Sequence, residues 1–499
     1  MIDLKTISTK EMFASIYCLE FKGEFQVSSG DLCYLSIFEL SEKIKSREIS
    51  PLEVIESHLA QIERLNPKLN AFITVCHEEA REAARQAEKE ISDSKYRGPL
   101  HGIPFGAKDI IDSKGVLTTH GSSFFPENVP GEDAECIRRL KEAGAILIGK
   151  CNTHEFAAGS TTKNPHYGAC RNPWDPSRVP AGSSGGSGSA VAAFMCPGTL
   201  GTDTGGSVRG PAAVCGIVGL KPTYGRISLR GVFPNSTSLD HVGPLAHSAR
   251  DCALLLQGMA GYDPMDPASA DLPVPDFSAE IEEGLEGLCL ALCPDLVQVE
   301  IDAPIMRAFD DAVEIFRDLG AQIESVSCPF AEELNSQRSP IADAELLSVH
   351  RENFEKYPER FGNDLRERLE NARKTTLDMY IRACQQRRTL RRMAETIFRP
   401  YDGVLLPGYP CVAAPVESTM ATVNGKEVPF MGLARNLTGP HNFTGFPSVS
   451  VPTGFSPISE LPMAMQIVGL PGTEARILRV AYAYDQSTPE IRNRRPVII

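Results

Sequence analysis

Apolar residues fall at helical spacing just after residue 50, where Leu52, Ile55, Leu59 and Ile62 share one face. Ser50 stands where an N-cap belongs, Pro51 takes the first helical position and Glu53 closes a capping box. A second start signal, Asp133, precedes "AECIRRLKEA"; Gly144 ends that helix and the apolar "AILIGK" comes next as a buried strand. The same unit recurs in "MRAFDDAVEIFRDLGAQIESV", an amphipathic helix that stops at Gly320 ahead of another strand. "GLCLALC" and "YDGVLLP" have the continuous apolar character of strands covered on both faces. Alternation of this kind predicts an α/β fold.

Two stretches break the alternation. Residues 331–398 are rich in Arg and Glu, helical by pattern and poor in apolar runs. They predict a peripheral helical excursion, either lining a substrate entrance or forming a solvated helix pair. Residues 263–283, "DPMDPASADLPVPDFSAEIEE", predict a linker crossing between two halves.

Composition narrows the function. A chain of 499 residues suffices for one large α/β core. Fifty Lys plus Arg against 64 Asp plus Glu give a net charge of −14, which repels nucleic-acid backbones and anionic membranes. Neither an apolar leader in the first thirty residues nor a run of eighteen apolar residues is found, so no membrane partner and a cytoplasmic location are expected. The fourteen cysteines are scattered and lack a CxxC pair, which suits reduced core thiols. His101, His120, His154 and His166 are isolated, so no metal is expected, and with neither GxxxxGK[ST] nor a strand-borne GxGxxG no cofactor is expected either.

The run "AGSSGGSGSA" at 181–190 has the composition of a flexible linker. Its downstream neighbours, "AVAAFM" and then "GTDTGGSVRGPAAVCGIVGL", demand instead that backbone pack closely on backbone. Crowded Gly and Ser gather backbone N–H groups, which stabilise oxyanions. Within "TDTGGS", Ser207 is a candidate nucleophile, with the N–H groups of Thr204, Gly205, Gly206 and Ser207 as the oxyanion hole. The base it needs is Lys108 in "GIPFGAKDI", whose apolar neighbours predict burial and a pKa drawn down from about 10.4 toward neutrality. Asp109 cancels that effect if it faces the same way. A rival uses Gly182, Ser184 and Gly186 as a GxSxG nucleophile elbow, with Ser184 attacking and a downstream Asp and one of His241, His247, His350 or His441 completing a triad. Against it, "DPSRVPA" is a poor strand to precede an elbow. A non-catalytic binding protein is the third possibility, and Trp174 and Cys170 beside the run read as packing residues.

The pieces "GIPFGAKD", "AGSSGGSGSAVAA", "GTDTGGSVRGPAAVCGIVGLKPTYGR", "NFTGFPSVSVPTG" and "LPMAMQIVG" together resemble the amidase signature family of serine hydrolases, over residues 31–499. The resemblance implies a single large α/β domain, a twisted mixed β-sheet flanked by helices on both faces, with Ser207 as nucleophile, Ser183 as bridging serine, Lys108 as base and a cis Gly182–Ser183 peptide. It assigns Ser184 a hydrogen-bonding role and Asp203 and Arg209 the holding of the loop. It further implies hydrolysis of a small-molecule amide, carbamate or ester through an acyl-enzyme. One branch of the family is the glutaminase subunit of tRNA-dependent amidotransferases; residues 331–398 are unlike that branch, which favours a stand-alone hydrolase. Family members are often dimers, so a homodimer is within the resemblance. Phe124, Phe125, Phe443 and Phe446 suit a pocket for an aliphatic or aryl amide, and core packing explains them equally well. Residues 1–30 stand outside the resemblance as an N-terminal extension of unassigned role.

Overall fold

The computed structural model of the protein describes residues 32–498, so the extension at 1–30 lies outside the described residues. The first predicted helix forms as Pro51–Leu69, with Ser50 and Glu53 in a reciprocal capping box. Its buried face runs through Val54, Ile55, Leu59, Ile62 and Leu65, while Leu52 sits at the rim and is only partly buried. The next predicted start is displaced. The helix is Glu135–Glu142 with Ala134 at its cap, and Asp133 instead accepts from the Lys114 N–H and pairs with Lys141.

Among the described residues fifteen strands occur in chain order: β1 (Phe72–Val75), β2 (Pro104–Lys108), β3 (Ile146–Cys151), β4 (Lys163–Asn164), β5 (Gly168–Ala169), β6 (Gly198–Thr202), β7 (Val218–Lys221) and β8 (Val242–Ala246). The rest are β9 (Cys289–Leu292), β10 (Gln322–Ser325), β11 (Gly403–Pro407), β12 (Met420–Val423), β13 (Lys426–Pro429), β14 (Ser448–Phe455) and β15 (Pro462–Val468). Eleven of them build one sheet in the order β1-β3-β2-β6-β8-β7-β14-β15-β11-β9-β10, and β4-β5 and β12-β13 are separate two-stranded ribbons. Parallel pairs (β2 with β3 and β6, β9 with β10 and β11) flank an antiparallel centre, so the sheet is mixed.

Both faces are covered. Along β11, Leu405 enters a core shared with the Ala249–Met259, Ala303–Asp318 and Glu474–Ser487 helices. Val404 and Leu406 enter another, with Leu334, Ile341, Leu390 and Phe398. This alternation is the pleat burying both sides of one strand. Residues 263–283 do not behave as a free linker. Phe277 and Ile281 are buried in the main core, Asp263 accepts from Ser228 and Arg230, and the Pro273 carbonyl accepts from Arg226. Residues 331–398 are helical, as Ala331–Ser336, Arg338–Lys356, Asn363–Ala372 and Leu377–Phe398. Among the described residues no cysteine is in a disulfide, no helix is long and apolar enough to cross a membrane, and no group of three or more His, Cys, Asp or Glu side chains could hold a metal ion.

Candidate active site

Lys108 closes β2 and Thr202 closes β6, and because these strands are parallel neighbours both residues stand at one C-terminal sheet edge. Open α/β sheets bind ligands at that edge. There Lys108 Nζ donates to Ser183 Oγ at 2.7 Å and to Thr202 Oγ1 at 2.8 Å. Lys108 is completely buried. Burial lowers its pKa from 10.5 to about 7, against the opposing pull of Asp240 and Asp203. Asp109 does not cancel this: its Oδ2 accepts from the Thr119 N–H at 3.0 Å, and the cation acting on it is Lys150.

The Gly/Ser run is not a tether. It folds into the buried helix Gly185–Ala192, and a Cβ on Gly186 would lie 2.4 Å from the Asn152 backbone nitrogen, so only glycine permits this approach. Ser183 sits just ahead of the helix, its peptide with Gly182 is cis, and its carbonyl accepts from the His154 N–H and from Thr153 Oγ1, each at 3.1 Å. The Ser184 N–H donates to the Ser207 carbonyl at 3.4 Å, which brings the two serine turns side by side. Ser207, partly exposed, lines a cavity together with Gly182, Gly205 and Gly206.

Asp203 and Arg209 organise the second turn. Arg209 donates Nε to Asp203 Oδ2 at 3.1 Å and Nη2 to Oδ1 at 3.0 Å, and both side chains are inaccessible to solvent. The same carboxylate accepts from the N–H groups of Gly206 (2.8 Å) and Val208 (3.1 Å) and from Asn442 Nδ2 (2.8 Å). Burial alone would raise the Asp203 pKa, but Arg209, Lys221 and Asn442 outweigh it and hold the carboxyl far below the usual range. The oxyanion set therefore loses one member: the Gly206 N–H is committed to Asp203. The N–H groups of Thr204, Gly205 and Ser207 have no acceptor among the described residues. Gly206 has φ +121°, and a Cβ there would lie 2.4 Å from Thr438 Oγ1.

Ser184 has no strand leading into it and is completely buried; its Oγ donates to the Thr202 carbonyl at 3.1 Å and accepts from the Thr202 N–H at 3.2 Å. This is a pin between helix and sheet, not an elbow. Ser184→Ala is expected to cost about 1–3 kcal/mol, seen as a lower midpoint in urea unfolding, because it leaves buried Thr202 groups unpaired. Serine-directed labelling of the variant should persist; its disappearance would return the nucleophile to Ser184. The histidines of the rival triad are scattered: His241 Nδ1 faces the Leu239 and Asp203 carbonyls, His247 stacks on Phe194, and His350 lies against Phe156.

Of the two readings of the phenylalanines, packing is the one observed. Phe124 and Phe125 pack with Phe156 and Phe233 or Phe361, while Phe443 and Phe446 are buried in the core, and none lines the Ser207 cavity. Its lining includes Arg338 and Arg368 from the 331–398 helices, Tyr409, and Arg435 and Thr438 from the Arg435–Thr444 helix. These residues lie outside every run quoted from the sequence, whereas Asn442 opens "NFTGFPSVSVPTG" without its role being readable there. A charged residue on a helix reads as solvated until another element covers it.

A model of the family described as Amidase matches residues 53–478. The glutamyl-tRNA(Gln) amidotransferase subunit of Geobacter sp. (strain M21) is 39% identical over 487 residues, covering 91% of this chain and 97% of that protein. A solved chain described as part of a vestigial protein complex that reveals the evolutionary origins of an s-triazine catabolic enzyme superposes with a TM-score of 0.87 at 34% identity, over 91% of this chain and 98% of its own. A bacterial aryl acylamidase of the amidase signature family superposes with a TM-score of 0.83 at 26% identity, over 93% and 99%.

Proposed function

Since the chain belongs to the amidase signature family, enzymes acting on amide C–N bonds, we propose that it hydrolyses a carboxylic amide through Ser207, Ser183 and Lys108. The observation that carries this is the 2.7 Å contact of a buried lysine, pKa about 7, with Ser183 beside the turn of the partly exposed Ser207. In the neutral form Lys108 accepts the proton of Ser183, which takes that of Ser207, and Ser207 Oγ bonds to the acyl carbon. The oxyanion that develops is held by the free N–H groups of the 204–207 turn. As the C–N bond breaks, Ser183 returns a proton to the departing nitrogen; water then adds to the ester, and the acyl C–O bond breaks to release the acid and restore Ser207. A carbamate or ester offers the same acyl carbon, so urethane and ester cleavage fall within the proposal. Asp203 and Arg209 position the turn, and Ser184 pins the helix.

Peptide mapping after treatment with a fluorophosphonate tests the assignment. Adduct is expected on Ser207 and is expected to vanish in Ser207→Ala; adduct on any other serine would overturn it. A second proposal, release of ammonia from glutamine for a partner protein, is favoured by the 39% identity to a glutamyl-tRNA(Gln) amidotransferase chain. Assay with glutamine separates the two.

A further inference from the structure

Three cations surround the cavity of Ser207. Arg338 opens the Arg338–Lys356 helix, Arg368 lies on Asn363–Ala372, and Arg435 opens Arg435–Thr444. Arg338 is only 3% exposed and reaches the 204–207 turn: a Cβ on Gly205 would lie 3.6 Å from its Nη1 and 3.9 Å from Arg435 Cγ. Arg368 Nη1 donates to the Ala158 carbonyl at 3.0 Å. Among the described residues, the side chains of Arg338 and Arg435 make no hydrogen bond, and none of the three arginines forms an ion pair.

The acids around them are few and mostly occupied. Asp343, on the Arg338 helix, favours the charge of all three arginines without reaching ion-pair distance; Asp240 and Asp364 act on Arg368. Asp364 is paired with His154 at 2.7 Å, and Asp240 accepts from Thr204 and from the N–H groups of Asn235 and Ser236. Among the described residues no Asp or Glu lines the cavity. Burial and mutual repulsion disfavour the charged forms of Arg338 and Arg368, so an anion between them relieves both. A guanidinium fork fits a carboxylate with two parallel hydrogen bonds, whereas an ammonium in the same place meets only like charge.

On the premise that Ser207 is the nucleophile, we infer that the substrate is an amide bearing a carboxylate and no cationic group, its carboxylate held by Arg338, Arg368 and Arg435. This class includes the mono-amides of short dicarboxylic acids and excludes glutamine, whose α-ammonium would face the arginines.

Three amides of matched length test it: glutaramate, which is glutamine without its amino group; glutamine itself; and 5-methylhexanamide, the neutral isostere. The kcat/KM for glutaramate is expected to exceed that for each of the others by about 100-fold or more, since a site built to bind a charged group discriminates strongly against its absence. In Arg435→Gln the ratio of glutaramate to 5-methylhexanamide should collapse toward one, with fluorophosphonate labelling of Ser207 as the check that the fold is kept. Equal rates on glutaramate and the isostere, or glutamine as the best substrate, would overturn the inference while leaving Ser207 chemistry in place. If none of the three turns over, calorimetry with glutaramate on Ser207→Ala decides, and absence of binding overturns it. Failure of the premise shows separately, as failure of Ser207 to take the label.

Discussion

Replacing Lys108 by methionine should lower kcat/KM by about 10²–10⁴-fold at pH 8, the range expected for loss of a positioned general base. Methionine matches the apolar stem but carries no proton acceptor, so Ser183 loses its partner at 2.7 Å. In the wild type the neutral amine is the working form. With burial setting the pKa to about 7, kcat/KM should fall tenfold per pH unit below about 7 and level off above it. A wild-type profile flat from pH 5.5 to 9 would remove the lysine from the base role. Stability should also rise with pH, but over a higher window. The pKa in the folded state lies below the unfolded value of 10.5, so between the two the unfolded chain binds the extra proton and folding gains as pH rises. Relative to Lys108→Met, the wild type should gain about 1.4 kcal/mol of stability per pH unit between pH 7 and 10.5, measured by denaturant midpoints. Near pH 7 the inactive variant should be at least as stable as the active protein.

Asp203→Ala should cost about 3–5 kcal/mol, because it leaves the Arg209 guanidinium buried without a counter-charge. It also strips acceptors from the Gly206 and Val208 N–H groups, which hold the shape of the serine turn. A double variant, Asp203→Leu with Arg209→Met, should recover much of the stability, since a buried ion pair is often replaceable by apolar residues of similar volume. Fluorophosphonate labelling should not recover with it, because the turn still lacks the carboxylate that aligns its backbone. Denaturant midpoints and labelling rates on both proteins provide the check. An Asp203→Ala protein as stable and as reactive as the wild type would show that the pair does not hold the turn.

Much of this was legible because it is local. Ser50 and Glu53 cap their helix, the runs at 146 and 403 form covered strands, and glycines such as Gly186 stand where backbone meets backbone. Lys108 was legible for a related reason: apolar neighbours on both sides of a lysine foretell burial. What the sequence hid depends on distant segments meeting. Thr202, Thr438 and Asn442 reach the serine turns only through sheet order and helix docking. Arg338 and Arg368 read as solvent-facing until their helices close over the cavity. The phenylalanines could not be assigned from sequence because a ring is equally at home in a core and in a pocket, and Asp133 misled because the helix begins two residues after it and its carboxylate turns to Lys141. Residues 263–283 looked like a tether by composition, yet Phe277 and Ile281 anchor them.

The order of strands also sets a timetable for synthesis. β7 ends at Lys221, and its outer neighbour β14 starts at Ser448, so the ribosome must add roughly 230 residues before that edge can be paired. At about 5–20 residues per second the wait is on the order of 10–45 seconds. Through that interval the nascent chain carries an open β edge, the kind of surface that recruits a second chain. The helix that supplies Asn442 and Thr438 is made immediately before β14. A chain released early therefore lacks Asn442 on Asp203 and Thr438 on the Gly205 carbonyl and leaves the β7 edge bare, so abortive synthesis should yield an inert product prone to aggregate.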